Sequence, residues 1–178
     1  MMSFITKIFF RIHSWEIHSQ LPSHIKKSVI VGAPHTTNYD LPYSLLLAFL
    51  FKLRIHWMGK MSIFSFPWKF LLLYLGGIPI DRSVSDNRVT FYAETIKSSA
   101  KEFHLVIAPA GTRKNIPVKE WSTGFYYIAL MAGVPIVLAY VDYKNRKGGI
   151  GTIFYPTGNY ADDIKSIETF YAQWLPVE

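Results

Sequence analysis

The chain has no cysteine. Disulfides, thiol nucleophiles and Cys-ligated zinc are therefore excluded, and the absence fits a cytoplasmic location. The six histidines show no paired metal-binding spacing, so no metal is assigned. No Gly-x-Ser-x-Gly elbow occurs, which argues against a serine nucleophile of that type. Lys and Arg are scattered rather than gathered in a dense run, so no nucleic-acid partner is expected. No apolar stretch reads as a membrane span. Residues 41–51 stop at Lys52 and Arg54, and residues 70–80 are short and carry Gly76-Gly77. Residues 121–141 are long enough, but Gly133-Val134-Pro135 divides them into a helix and a strand. Repeats, linkers and low-complexity stretches are also missing, and 178 residues suit one domain over 1–178 with a real core.

The net charge is +7 and the pI about 9.5, which calls for an anionic partner. Half the residues are hydrophobic and 16% aromatic, an apolar composition for a chain without a span. Residues 1–20 place Phe4, Ile5, Ile8, Phe9, Ile12 and Trp15 at helical spacing, with Lys7 and Arg11 between them. Phe10 and Ile17 broaden the apolar arc. This predicts an N-terminal amphipathic helix. Two placements stay open, one in an anionic membrane interface and one packed on the domain's own core. The 41–51 and 63–75 stretches extend the same greasy surface.

Three segments carry chemistry. The β-branched run Ser28-Val29-Ile30-Val31-Gly32 predicts a buried strand, and His35 and Asp40 follow it. An imidazole can take a proton from a hydroxyl, and a carboxylate can fix its tautomer. Positions i and i+5 lie about 140° apart on one helix, so the pair meets only if the chain turns between them. Pro34 and Thr36-Thr37-Asn38 allow that turn. Second, Gly77-Ile78-Pro79-Ile80 predicts a short edge strand, because proline cannot donate to a central ladder. Arg82 stands just past its end, where a guanidinium can grip a phosphate through two parallel hydrogen bonds. Third, the strand Leu105-Val106-Ile107-Ala108 runs into Pro109-Ala110-Gly111-Thr112-Arg113, where a glycine lets backbone approach an anion and an arginine adds charge.

Elsewhere the pattern predicts helices over 39–53, 66–75, 86–103, 124–132 and 161–174. Strands are predicted over 54–58, 135–143 and 150–155, the last two antiparallel across a basic turn at 144–149. The alternation implies an α/β domain, with a mostly parallel sheet flanked by helices and ligands bound beyond the strand ends.

His35-x4-Asp40, the Gly-x-x-x stretch ending at Arg82, and Pro109-Ala110-Gly111-Thr112-Arg113 come in order. With Val134-Pro135-Ile136-Val137 as a less specific fourth match, the chain from about Val29 to Asp142 resembles the glycerolipid acyltransferases, the family that includes lysophosphatidic acid acyltransferase. The resemblance implies direct acyl transfer from an acyl-CoA or acyl-carrier-protein thioester to a lysophospholipid or glycerol-phosphate hydroxyl, with no other cofactor. His35 would be the general base, Asp40 its orienting carboxylate, and Arg82, Gly111, Thr112 and Arg113 the phosphate-binding set. It also implies a peripheral position at the inner face of a membrane. Ala110 departs from the pattern, standing where the family has Glu. That departure leaves an alternative open: a weak or inactive relative that binds lipid without turnover. A hydrolase using the same His-Asp pair on water is a closer variant.

Overall fold

The computed structural model describes residues 2–35, 37–80, 87–114 and 116–174. Arg82, and Asp86 at the predicted start of a helix, lie outside the described residues.

Val29, Ile30 and Val31 sit in the middle strand of a seven-stranded sheet, where alternate side chains enter opposite cores. The strands are β1 (Glu16–His18), β2 (Lys27–Gly32), β3 (Ile55–Lys60), β4 (Gly77–Ile80), β5 (Phe103–Ile107), β6 (Ile136–Asp142) and β7 (Lys147–Phe154). The helices are α1 (Met2–Ile12), α2 (Asp40–Phe51), α3 (Lys69–Tyr74), α4 (Arg88–Ser98), α5 (Gly124–Ala132) and α6 (Tyr160–Tyr171). Spatial order is β1-β7-β6-β2-β5-β3-β4. β6-β2-β5-β3-β4 run parallel, and β7 turns back antiparallel to β6. β4, with Pro79, forms the edge, as its proline requires.

Val29, Val31, Leu105, Ile136 and Leu138 face the larger core, which α4, α5 and α6 close with Ile96, Phe125, Ile167 and others. Ile30, Val137 and Ile150 face the other way, where Phe51 at the end of α2 joins them. α2 also packs against α1 around Phe10, Leu47 and Val141. No helix among the described residues is long and apolar enough to cross a membrane.

Several expected elements end differently. The N-terminal helix stops at Ile12: Ser14 adopts φ 54°, and the Trp15 N–H turns back to the Phe10 carbonyl at 2.8 Å. Trp15 and Ile17 thus leave the helical arc. Trp15 packs on Phe10, Tyr43 and Tyr143, and Ile17 enters β1. β1 was not expected, and it pairs with 147–149, part of the predicted turn. Gly149 makes this possible, because a Cβ there would collide with the His18 carbonyl. Finally, α4 ends at Ser98, since Ser99 is extended, and Phe103 opens β5.

Candidate active site

β2 and β5 pair in parallel with Val31 opposite Ile107, so the segments that leave their carboxyl ends emerge side by side. One carries His35 and the other Arg113. Between β2 and α2 the chain turns tightly, and Asp40 becomes the first residue of α2, where the helix dipole favours a carboxylate. The turn brings the pair together, with His35 Nδ1 2.7 Å from Asp40 Oδ2.

Asp40 is buried and held on both oxygens. The Thr37 N–H donates to Oδ2 at 3.0 Å, and the Thr37 hydroxyl to Oδ1 at 3.3 Å. The Tyr143 hydroxyl donates to Oδ1 at 2.8 Å. Burial alone would raise its pKa. The hydrogen bonds from His35, Thr37 and Tyr143 outweigh burial, and the carboxyl lies below its usual range. An ionised carboxylate only accepts, so His35 Nδ1 carries a proton, and in the neutral imidazole Nε2 is the nitrogen with the free lone pair. Tyr143 is the converse case: burial and the adjacent carboxylate push its phenol well above the ordinary value, so it stays a donor.

The dyad opens on a cavity of about 400 Å³ between α2 and the sheet. At the carboxyl end of the strands its lining is polar: His35, Asn38, Asp40, Lys60 and Arg113. Toward the amino end it becomes apolar, with Leu47, Phe51, Leu53, Ile55, Val106 and Ile150. α2 lines it from Leu41 to Phe51, about 15 Å at 1.5 Å per residue. Among the described residues, no three His, Asp or Glu side chains gather as a metal site.

A family model described as Acyltransferase matches residues 14–142, well over half of the chain. The chain belongs to the Acyltransferase family. A search of curated proteins returned no match.

The acyltransferase redistributes the expected phosphate set. Arg113 lines the cavity. Gly111 adopts φ 61°, and its N–H closes the turn onto the Ala108 carbonyl at 3.1 Å, so that donor is engaged. The Thr112 hydroxyl accepts from the Lys114 N–H at 3.2 Å. Neither residue lines the cavity; both shape the turn that presents Arg113. Ala110 packs against the larger core on the other face, away from the cavity lining. Two site residues escaped the sequence reading. Lys60 ends β3 and lines the same cavity as the dyad. Tyr143 follows β6, the parallel neighbour of β2, and a polar residue just past the end of that strand was the available signal.

Proposed function

We propose that this acyltransferase moves a fatty acyl group from a thioester donor, acyl-CoA or acyl-carrier protein, to the hydroxyl of a lysophospholipid or glycerol-phosphate acceptor. The observation that carries this reading is the His35–Asp40 pair at the polar end of a cavity whose remainder is apolar. Such a lining suits a molecule with a charged head and a hydrocarbon tail. His35 Nε2 takes the proton from the acceptor hydroxyl while Asp40 stabilises the imidazolium. The hydroxyl oxygen bonds to the thioester carbonyl carbon, the C–S bond breaks, and the departing thiolate takes the proton back from His35. Arg113 and Lys60 hold the acceptor's phosphate, and Arg82 is assigned to the same anion. The cytoplasmic face of a membrane, with anionic lipid, is the place where such an acceptor is found.

The alternative, a lipid-binding relative with little turnover, rests on Ala110. Against it, the Ala110 methyl faces the apolar core, and neither the dyad nor the cavity leans on a carboxylate at that position. Mass spectrometry of lipids after incubation with long-chain acyl-CoA and a lysophospholipid panel tests the proposal. New diacyl product supports it. Free fatty acid alone means a hydrolase, and bound but unchanged lipid means the alternative. Ala110→Glu on the same panel shows whether the missing carboxylate limits the rate.

A further inference from the structure

α3 is a helix without an inside. Five of its six residues are apolar or aromatic, yet none is buried. The segment that leads into it is the same. Phe66 is 85% exposed, Trp68 61%, Phe70 72% and Tyr74 87%, with Leu71 and Leu73 beside them. A surface helix normally turns its apolar stripe to the core; here only Leu72 is half-buried and the other five residues are exposed. α1 differs, since it sinks Phe10 and Thr6 against the domain while exposing Phe4 and Ile8.

The segment is nonetheless firmly held. Phe64 is buried and stacks on Trp57 of β3 with ring centroids 5.6 Å apart. The Trp57 indole N–H donates to the Leu75 carbonyl at 3.0 Å, and α3 abuts β4. The exposed aromatics therefore stand on a fixed platform. Its charge names the partner. From residue 41 to 80 the chain has no Asp or Glu, while Lys52, Arg54, Lys60 and Lys69 are all present. Lys60 and Lys69, both exposed, flank the exposed aromatics. Large aromatic and aliphatic side chains bordered by cations, with no anion, match the interfacial zone of an anionic bilayer. The patch is also continuous with the site, because Gly59, Lys60 and Ile63, which lead into it, line the cavity.

We infer that residues 61–74 form a membrane-docking platform that seats the cavity's polar end at an anionic lipid surface. The inference rests on the reading above that the acceptor is a lipid. In this arrangement Phe66, Trp68 and Phe70 enter the headgroup–acyl boundary, Lys69 meets anionic headgroups, Lys60 receives the acceptor's phosphate at the cavity mouth, and the acceptor passes to His35 without crossing water.

The test uses the full chain with vesicles of phosphatidylcholine alone or mixed with phosphatidylglycerol. Wild type should sediment with the mixed vesicles, and brominated acyl chains should quench a share of tryptophan emission that W68F lacks. F66S/W68S/F70S replaces exposed side chains and should fold normally by circular dichroism, yet lose at least about tenfold in vesicle partition. It should keep transfer to a water-soluble acceptor while losing transfer to vesicle-borne lysophospholipid. Unchanged vesicle binding by the triple variant overturns the platform and leaves the proposed activity standing. Loss of vesicle binding in a protein that acylates no acceptor keeps the platform and removes the activity. A wild-type dimer that the triple variant abolishes, without any vesicle binding, means a second copy covers the patch, and the inference fails.

Discussion

Two histidines flank the same strand and differ in almost everything that matters for chemistry. His35 stands past the carboxyl end of β2, 2.7 Å from the Asp40 carboxylate and open to a cavity. His104, in β5, lies opposite Ser28 near the amino end of β2. Its Nδ1 is 2.8 Å from Ser28 Oγ, and its Nε2 lies 3.2 Å from a Glu102 carboxylate oxygen. By residue type this second group is the more suggestive: a serine, a histidine and an acid in line. However, Ser28 and His104 are 0% exposed, and no substrate can reach them. The comparison teaches that access at a strand end, and not the residue set, separates a histidine that a substrate can reach from a sealed one.

The sharpest way to break the comparison is to remove each histidine. His35→Ala should lower acyl transfer by roughly two to four orders of magnitude, the usual share of a general base, with an unchanged melting curve. His104→Ala should do the opposite, losing stability through a cavity and a stranded Ser28 hydroxyl while the surviving folded fraction turns over normally. A His35→Ala enzyme with near-native turnover would remove His35 from the mechanism.

Next in size is the anion end of the open site. Arg113→Ala should raise the acceptor KM well above any change in donor KM, and Arg113→Lys should recover only part of it, since lysine lacks the planar fork. Steady-state kinetics with each substrate varied in turn would decide; equal losses for both would assign Arg113 to the donor instead.

Tyr143 sharpens what holds the open dyad in place. Tyr143→Phe deletes one hydrogen bond to the ionised Asp40 and leaves the ring among Trp15 and Tyr43. A bond to a charged group is worth about 1.5–3 kcal/mol, so kcat should fall by roughly ten- to a hundredfold if the loss is felt in full at the transition state. KM should stay near its original value, because Tyr143 touches Asp40 rather than substrate. A change in KM alone would mean that Tyr143 contacts a ligand.

The smallest effect belongs to the sealed end and is read through pH. Burial holds the pKa of both His104 and its neighbour His56 below the ordinary value of 6.5; Glu102 opposes this at His104, and Arg54 adds to it at His56. The unfolded chain therefore takes up protons that the folded chain refuses. Stability is complete above about pH 6.5 and is lost as pH falls from there toward the folded values. Thermal melts across that range should show the decline, and His104→Asn should shrink it to the share of His56 without altering transfer. An undiminished slope in His104→Asn would assign the titration to His56 or elsewhere. Asp40 works in a lower window: with its pKa depressed, its contribution is present above about 3.8 and lost only as pH falls below that.

Much of the frame was legible because it follows from local patterns. β4 at Gly77–Ile80 and α5 at Gly124–Ala132 have the expected bounds, set by Gly76 before the one and by Gly133 after the other. β2 and β5 carry the apolar runs Val29-Ile30-Val31 and Leu105-Val106-Ile107, as buried parallel strands do. β1 was illegible, since three residues carry no period and its pairing needs Gly149 far along the chain. The amphipathic arc at the N-terminus overran its helix, because Trp15 and Ile17 satisfy a helical spacing while belonging to a turn and a strand.

The sequence by itself determined the alternation of strands and helices, the His-x4-Asp spacing and the arginine past β5, because hydrophobic period and turn chemistry act over a few residues. Only the tertiary structure decided which of these groups share a site. Parallel pairing of β2 with β5 and β6 brings Arg113 to the cavity that the dyad lines and Tyr143 onto Asp40, the latter a contact made across 103 residues of chain. It set Gly111 and Thr112 off the cavity lining, with the Gly111 N–H and the Thr112 hydroxyl oxygen bonded within the loop. It also left α3 uncovered while sealing His104, since burial is a property of the packed layers and is not written at any single position.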